Sequence, residues 1–150
     1  MSKHLFVCGT LLPELTSLLP AHLKTLIERL RPVGAATVPG RLYDLGEYPG
    51  AIVDPDARTQ IHGYVLELPA LPEEDNDAEA SFWQRLDEYE GFDSRAGERN
   101  LFLRQRCTAT LADGRPLECW LYSSNQAVSE MQRIPGGDYL KHRAFTRPLQ

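Results

Sequence analysis

The segment His4-Leu5-Phe6-Val7-Cys8-Gly9 combines a short apolar run with the glycine that ends it. An apolar run of this length, bounded by glycine, predicts a strand that is buried on both faces and followed by a tight loop. The chain is therefore expected to begin in its hydrophobic core.

The next segment, Leu15 to Leu30, is rich in leucine and contains Pro20. Because proline removes a backbone donor and clashes with the preceding turn, this segment is expected to form two short helical pieces. Gly34 is expected to end it. The second piece, His22 to Leu30, places four apolar residues on its inward face: Leu23, Leu26, Ile27 and Leu30.

β-branched and aromatic residues between Gly, Pro and Asp then predict strands at Ala36 to Leu45, Ala51 to Asp54 and Ile61 to Leu68. The acidic segment Pro69 to Asp77 suits a surface loop, and Ala78 to Tyr89 has a helical period.

Two further strands, Leu101 to Leu111 and Pro116 to Ser123, flank Ala112-Asp113-Gly114-Arg115, which is a strong hairpin signal. The last segment, Ile134 to Gln150, is expected to be turn-rich and polar. Many strands with two or three helices predict an α+β fold built around a closed or nearly closed sheet.

Composition supports one globular domain over residues 1–150, with 42% hydrophobic and 25% charged residues. A net charge of -5 with scattered arginines argues against nucleic acid as a partner. No apolar run approaches the ~18 residues that a membrane span needs, so no membrane association is expected and a cytoplasmic location is predicted.

The three cysteines, Cys8, Cys107 and Cys119, lack the spacing of a zinc site, and no metal site is predicted. Cys107 and Cys119 can lie nearly opposite each other across the hairpin. In a reducing cytosol both are expected to remain thiols.

One carboxylate lies on an otherwise apolar helix face. A helical projection at about 100 degrees per residue places Phe82, Leu86 and Tyr89 on one stripe. Glu90 falls on that stripe, Glu88 points away and Asp87 lies at its edge. A buried carboxylate finds donors or takes a raised pKa, which suits a general acid/base. The alternative is that Glu90 occupies a solvated last turn of the helix.

The loop Cys8-Gly9-Thr10-Leu11 can present successive N–H groups to a carboxylate or an oxyanion, although it is also compatible with an ordinary turn. Cys8 is a candidate nucleophile if a histidine acts as its base. Its apolar strand argues against that role, because such a setting raises the pKa of a thiol.

Five segments resemble the gamma-glutamyl cyclotransferase-like superfamily, in that family's order. Leu5-Phe6-Val7-Cys8-Gly9-Thr10-Leu11 resembles a strand and substrate loop usually written V-Y-G-T-L or V-Y-G-S-L. Gly40 to Ala51 resembles a block whose turn holds Tyr-Pro. Leu86-Asp87-Glu88-Tyr89-Glu90-Gly91-Phe92 resembles the segment with the catalytic glutamate. Trp120-Leu121-Tyr122 resembles an aromatic strand, and Gly136-Gly137-Asp138-Tyr139 a closing Gly-Asp-aromatic signature.

The resemblance implies a small mixed, mostly antiparallel β-barrel with flanking helices, and no metal or organic cofactor. It assigns the catalytic role to Glu90. The implied substrate-binding residues come from the loop and two strands: Cys8, Gly9, Thr10, Leu11, Tyr43 and Tyr122. Position 8 is Tyr in most members, so the usual aromatic wall and hydroxyl are absent here.

The implied reaction is attack of the α-amine of a small γ-glutamyl substrate on its own γ-amide carbonyl, which releases 5-oxoproline and an amine. No protein nucleophile is required, and Glu90 carries the proton transfers. A monomer or a homodimer is expected. Two other hypotheses about function stay open. The protein is a non-catalytic binding or interaction module on the same fold, or it is a cysteine hydrolase that uses Cys8.

Overall fold

A computed structural model describes residues 3–9, 11–46, 48–68, 76–90 and 102–146 of the chain. Of α2, the helix over 76–90, the side chains are described from residue 82 onward. The predicted acidic loop falls mostly outside these residues, and so do Thr10, Gly91 and Phe92.

The described elements follow the predicted order of strands and helices. The strands are β1 (His4–Val7), β2 (Arg31–Asp44), β3 (Pro49–Val53), β4 (Gln60–Glu67), β5 (Phe102–Leu111), β6 (Pro116–Ser124) and β7 (Arg133–Ile134). The α-helices are α1 (Ala21–Glu28), α2 (Asn76–Glu90) and α3 (Tyr139–Thr146), and 3-10 helices cover Pro13–Leu18 and Glu130–Gln132.

Five of the strands close into a barrel. The hydrogen-bonded order runs β2-β4-β1-β6-β5, and β5 returns to β2 through the pairs Ala36 with Leu111 and Thr37 with Thr110. The pairing of β1 with β6 is parallel, whereas the other pairs are antiparallel. β3 and β7 pair with the later part of β2 and extend the sheet beyond the barrel. The predicted α+β fold with a small, mostly antiparallel mixed barrel is confirmed.

Successive side chains of a strand point to opposite faces of the sheet, and they therefore contribute to two separate hydrophobic clusters. Phe6 belongs to the cluster inside the barrel, while its neighbours Leu5 and Val7 belong to the cluster between the barrel and the helices. β6 divides in the same way, because Leu121 packs inside and Tyr122 packs toward the helices. β1 is therefore buried on both faces, as its apolar run predicts.

The helical prediction before β2 is confirmed, including the break at Pro20, and the inward residues Leu23, Leu26, Ile27 and Leu30 are all buried. The prediction that Gly34 ends this segment is wrong. β2 begins at Arg31 and pairs with β4 from there, with a register shift between Pro32 and Gly34. Pairing with a neighbouring strand thus overrides the local signal of the glycine.

The predicted hairpin is confirmed, and Cys107 and Cys119 are direct partners across it. Both are buried free thiols. The prediction of a turn-rich, polar end is wrong for 139–146, which form α3. The Asp138 side chain accepts a hydrogen bond from the Lys141 N–H at 3.1 Å at the start of this helix, and Tyr139 is 2% exposed.

Gly63 is expected to tolerate no side chain, because β4 lies directly against the end of its antiparallel neighbour β1 there. A Cβ at this position would overlap the carbonyl oxygen of Val7 and lie 2.5 Å from Cζ of Phe6. We predict that Gly63→Ala lowers the free energy of unfolding by ~1 to 3 kcal/mol, measured by denaturant titration. Gly136→Ala is the matched control, since a Cβ there meets nothing within 4 Å. Equal stability of the two variants would contradict the expected clash at Gly63.

Candidate active site

A cavity of about 350 Å³ lies beside the C-terminal ends of β1 and α2. Its volume is within the range of small-molecule sites, and its wall is mostly apolar and aromatic. The described residues that line it are Phe6, Val7, Cys8, Gly9, Leu11, Tyr48, Pro49, Ala51, Tyr89, Glu90, Phe102, Leu121 and Tyr122. The cavity thus brings together Cys8, Gly9, Leu11, Glu90 and Tyr122, which belong to the predicted site.

Glu90 is the last residue of α2, and it reaches the cavity from the buried side of the helix. Phe82, Trp83 and Leu86 on this side are buried, and Leu86 is 0% exposed. Because Glu90 comes four residues after Leu86, the helical period turns it toward the same side. The placement of Tyr89 in the buried stripe is wrong, since Tyr89 is 39% exposed.

The surroundings of Glu90 raise the pKa of its carboxyl from an ordinary 4.5 to about 7. Desolvation by the enclosing protein is the main cause, and the nearby charge of Asp87 adds to it. Glu90 is half-buried at the cavity, and neighbouring protein atoms displace much of the water around its carboxyl. Among the described residues, none forms a hydrogen bond or an ion pair with this carboxyl. A carboxyl with this pKa can both accept and donate a proton near neutral pH.

The loop after β1 is shaped by a close contact with Pro49, the first residue of β3. A Cβ on Gly9 would lie 2.6 Å from Cγ of Pro49, so only glycine allows these two segments to approach. The Leu12 N–H donates to the Gly9 carbonyl at 2.9 Å and closes the turn. Of the predicted substrate loop, Cys8, Gly9 and Leu11 line the cavity, whereas Thr10 lies outside the described residues.

Cys8 is a poor nucleophile in this setting. Burial, together with the charge of Glu90, raises the pKa of its thiol to about 12, so almost no thiolate forms at neutral pH. The structure therefore argues against the cysteine hydrolase reading and leaves Cys8 as part of the cavity wall.

Tyr122 lines the cavity and is bound to the helix that carries Glu90. Its hydroxyl donates a 2.6 Å hydrogen bond to Oδ1 of Asp87. Burial and this hydrogen bond raise the pKa of Tyr122 above its ordinary value, so the phenol stays protonated. Asp87 was expected only at the edge of the helix stripe, and its role as the partner of Tyr122 was not predicted.

Tyr43, the other predicted tyrosine, does not line this cavity. It is buried on β2, where its hydroxyl accepts a 3.2 Å hydrogen bond from Nε of Arg41. The same arginine pairs with Asp54 at 2.9 Å. Tyr43 thus lies in a network beside β3, and the structure does not bring it to this cavity, so its contact with the substrate stays a prediction.

Sequence reasoning missed an aromatic wall formed by Tyr48 and Phe102. Their ring centroids are 5.4 Å apart in an edge-to-face arrangement, and both rings line the cavity. Gln126 donates a 3.4 Å hydrogen bond to the Tyr48 hydroxyl. The Tyr48-Pro49 pair within the quoted Gly40 to Ala51 block is the signal that could have identified this wall.

The His, Cys, Asp and Glu residues that the structure describes form no group of three that could hold a metal ion. In the same described ranges, no helix has the length and apolarity to cross a membrane.

Several solved structures share this fold at low sequence identity. YkqA from Bacillus subtilis matches with a TM-score of 0.68 and 19% identity over 100% of this chain, which spans only 44% of YkqA. An AIG2-like protein from Mus musculus matches with a TM-score of 0.63 and 17% identity, over 91% of this chain and 87% of its own. The uncharacterized protein PH0828 from Pyrococcus horikoshii matches with a TM-score of 0.57 and 16% identity, over 97% and 96%. These similarities establish the fold.

No curated protein matches the chain. The family model described as "Gamma-glutamyl cyclotransferase, AIG2-like" matches residues 5–141, which include β1, the barrel strands and the helix that carries Glu90. Because this match covers nearly the whole sequence, the chain belongs to the gamma-glutamyl cyclotransferase, AIG2-like family.

Proposed function

We propose that this protein is a γ-glutamyl cyclotransferase that releases 5-oxoproline from a γ-glutamyl amine or γ-glutamyl amino acid, with Glu90 as its general acid/base. The main support is the position of the Glu90 carboxyl in a mostly apolar cavity of about 350 Å³, where its pKa is about 7. Family membership points to the same chemistry.

The cavity suits a reaction within one substrate molecule. If the wall holds the γ-glutamyl chain curled, the α-amine faces the γ-amide carbonyl, and orientation alone contributes up to ~7 to 11 kcal/mol. The aromatic wall of Tyr48 and Phe102 lines the cavity. Cys8 leaves room in the cavity that a tyrosine at position 8 would occupy. The backbone N–H groups of Gly9, Thr10 and Leu11 are the candidates to bind the substrate carboxylate or the developing oxyanion.

Glu90 moves the proton that the cyclisation requires. As a carboxylate it accepts a proton from the α-ammonium, and the resulting amine attacks the γ-carbonyl carbon to form the new C–N bond. As a carboxylic acid it donates that proton to the departing nitrogen as the old C–N bond breaks. The remaining extra proton on the ring nitrogen leaves with the released amine. A pKa of about 7 brings Glu90 closer to an α-ammonium near ~8 than an ordinary glutamate at ~4.3 would be.

Tyr122 is suited to accept rather than donate a hydrogen bond at the substrate. Its hydroxyl hydrogen is already committed to Asp87 at 2.6 Å. The phenol oxygen still has a lone pair, which can accept from the α-ammonium and orient it toward Glu90.

We predict that Glu90→Gln lowers 5-oxoproline formation by at least ~100-fold while the protein stays folded. The test is mass-spectrometric detection of 5-oxoproline from a panel of γ-glutamyl amino acids, γ-glutamyl-ε-lysine and γ-glutamyl amines. Glu88→Gln makes the same change at an exposed neighbouring residue and should retain wild-type turnover.

Because the pKa of Glu90 is raised on folding, ionisation of this group destabilises the native state as pH rises from about 4.5 through about 7. Glu90→Gln should therefore unfold at no lower a temperature than wild type at pH 8.

In the turnover assay, wild-type activity of Glu90→Gln would refute the assignment of Glu90 as general acid/base. Binding of panel members without any 5-oxoproline from the wild type would favour a non-catalytic binding module.

The pH dependence of kcat/KM is expected to report the ionisation of Glu90. Since the carboxylate form accepts the proton, kcat/KM should rise about tenfold per pH unit below pH 7 and level off above it. A rate that is already constant from pH 5.5 upward would indicate an ordinary carboxyl and contradict the proposed role.

Position 8 is expected to control substrate choice. Cys8→Ala should keep activity, because the protonated thiol takes no part in the chemistry. Cys8→Tyr should change the order of preference among the panel members, because the larger ring occupies part of the cavity. Steady-state kinetics on the same panel measures both effects. Complete loss of activity in Cys8→Ala would instead favour thiol catalysis.

A further inference from the structure

Asp87 lies three residues before Glu90 and holds two side chains from the barrel. Its Oδ1 accepts hydrogen bonds from the Tyr122 hydroxyl at 2.6 Å and from Nε of Arg104 at 3.0 Å. Its Oδ2 accepts from Nη2 of Arg104 at 3.3 Å. The two-pronged contact with Arg104 and the bond from Tyr122 tie the last turn of α2 to β5 and β6.

Arg104 is itself fixed by aromatic rings. Its guanidinium carbon lies 4.7 Å from the ring centroid of Trp83 and 5.0 Å from that of Trp120. The side chains of Arg104 and Asp87 are only 22% and 17% exposed. Contacts of this kind limit the motion of a cation, so Arg104 offers Asp87 a defined partner. The arrangement is therefore more ordered than a surface ion pair.

The network connects two walls of the candidate active site. Residues three apart on a helix lie on neighbouring positions of one face, so the contacts that hold Asp87 also hold the helical turn that carries Glu90. Tyr122 of β6 also lines the cavity, and its hydroxyl donates to the Asp87 carboxylate. We propose that Asp87 is a positioning residue that holds the Glu90 carboxyl and the Tyr122 hydroxyl in one fixed geometry through its contacts with Arg104. This inference rests on the proposed function.

The charges of the network act on Glu90 as well. Among the described residues, the groups that interact electrostatically with Glu90 are Asp87 on its own helix, the Cys8 thiol after β1 and the Tyr122 phenol on β6. Arg104 of β5 lies against Asp87, and the phenols of Tyr48 and Tyr89 line the same cavity. The Cys8 thiol and the Tyr122 phenol stay protonated through neutral pH. Among the described residues near Glu90, the ion pair of Asp87 and Arg104 is thus the charged group that a substitution can alter. The negative charge of Asp87 favours the protonated form of Glu90, and the positive charge of Arg104 opposes this effect.

Two substitutions should therefore move Glu90 in opposite directions. Asp87→Asn removes the negative charge and leaves the guanidinium in place, so the lower pH limb of kcat/KM should shift downward by up to about one pH unit. Arg104→Gln leaves Asp87 without its cation, so the same limb should shift upward. Loosening of the structure alone would expose Glu90 to water in both variants and shift both limbs downward. Glu88→Gln, which removes an exposed charge beside Asp87, should shift neither.

The positioning role has its own readout. Asp87→Asn should lower kcat by at least tenfold with a smaller change in KM, because the substrate still binds but Glu90 and Tyr122 lose their fixed geometry. Circular dichroism and thermal unfolding establish that each variant is folded, and Arg104→Gln provides the test if Asp87→Asn does not fold. An unchanged kcat, or limbs that shift in the same direction, would overturn the proposal.

A measurement that needs no turnover separates this proposal from the proposed function. The carboxyl carbon of Glu90, observed by NMR in selectively ¹³C-labelled protein and assigned with Glu90→Gln, titrates whether or not a substrate is known. Opposite shifts of its midpoint in Asp87→Asn and Arg104→Gln, in a protein that forms no 5-oxoproline, would support the network while the cyclotransferase assignment fails. Unchanged midpoints in both variants would overturn the proposed effect of Asp87 and Arg104 on Glu90, even if the enzyme is active.

Discussion

The chemistry proposed for this protein depends on the desolvation of one carboxyl group, that of Glu90. Glu90 ends a helix on which, from residue 82 onward, Phe82, Trp83 and Leu86 are buried. Its pKa is about 7 because protein largely replaces water around it. Burial of this kind opposes folding whenever the carboxyl is ionised. The surrounding barrel and helix packing must outweigh that cost, and the same cost provides a group that exchanges protons near neutral pH.

The barrel supplies part of the cavity wall through the parallel pairing of β1 with β6. Leu5 of β1 is the register partner of Trp120 of β6, so the end of β1 and Tyr122 lie side by side. The chain can then turn at Gly9 next to Pro49, with no space for a side chain between them. Closure of the sheet thus brings the loop, the tyrosine and the helix end to one place, although they come from distant parts of the sequence.

Local sequence patterns were sufficient for most of the elements and for Glu90. The direction of Glu90 follows from its spacing to Leu86, and the strand β1 follows from its apolar run. Tyr89 was misplaced because a helical projection cannot tell which edge of a stripe the barrel covers. α3 was missed because its stability depends on burying Tyr139 against the barrel, which its polar local sequence does not reveal.

The partners of Asp87 could not be predicted because they depend on contacts between distant segments. Arg104 and Tyr122 follow it by 17 and 35 residues, and a single sequence gives no sign of these pairs. The same holds for Tyr48, just before β3, whose ring meets that of Phe102 at the start of β5. Tyr43 was expected at the substrate through a family resemblance, but its hydroxyl is directed to Arg41.

The most direct test of the central claim is the ionisation of Glu90 in the wild-type protein, followed through the NMR shift of its carboxyl carbon from pH 4 to pH 9. A midpoint of about 7 is expected for a desolvated carboxyl. A midpoint near ~4.3, the value of a glutamate in water, would show that the carboxyl is not desolvated and would contradict the account.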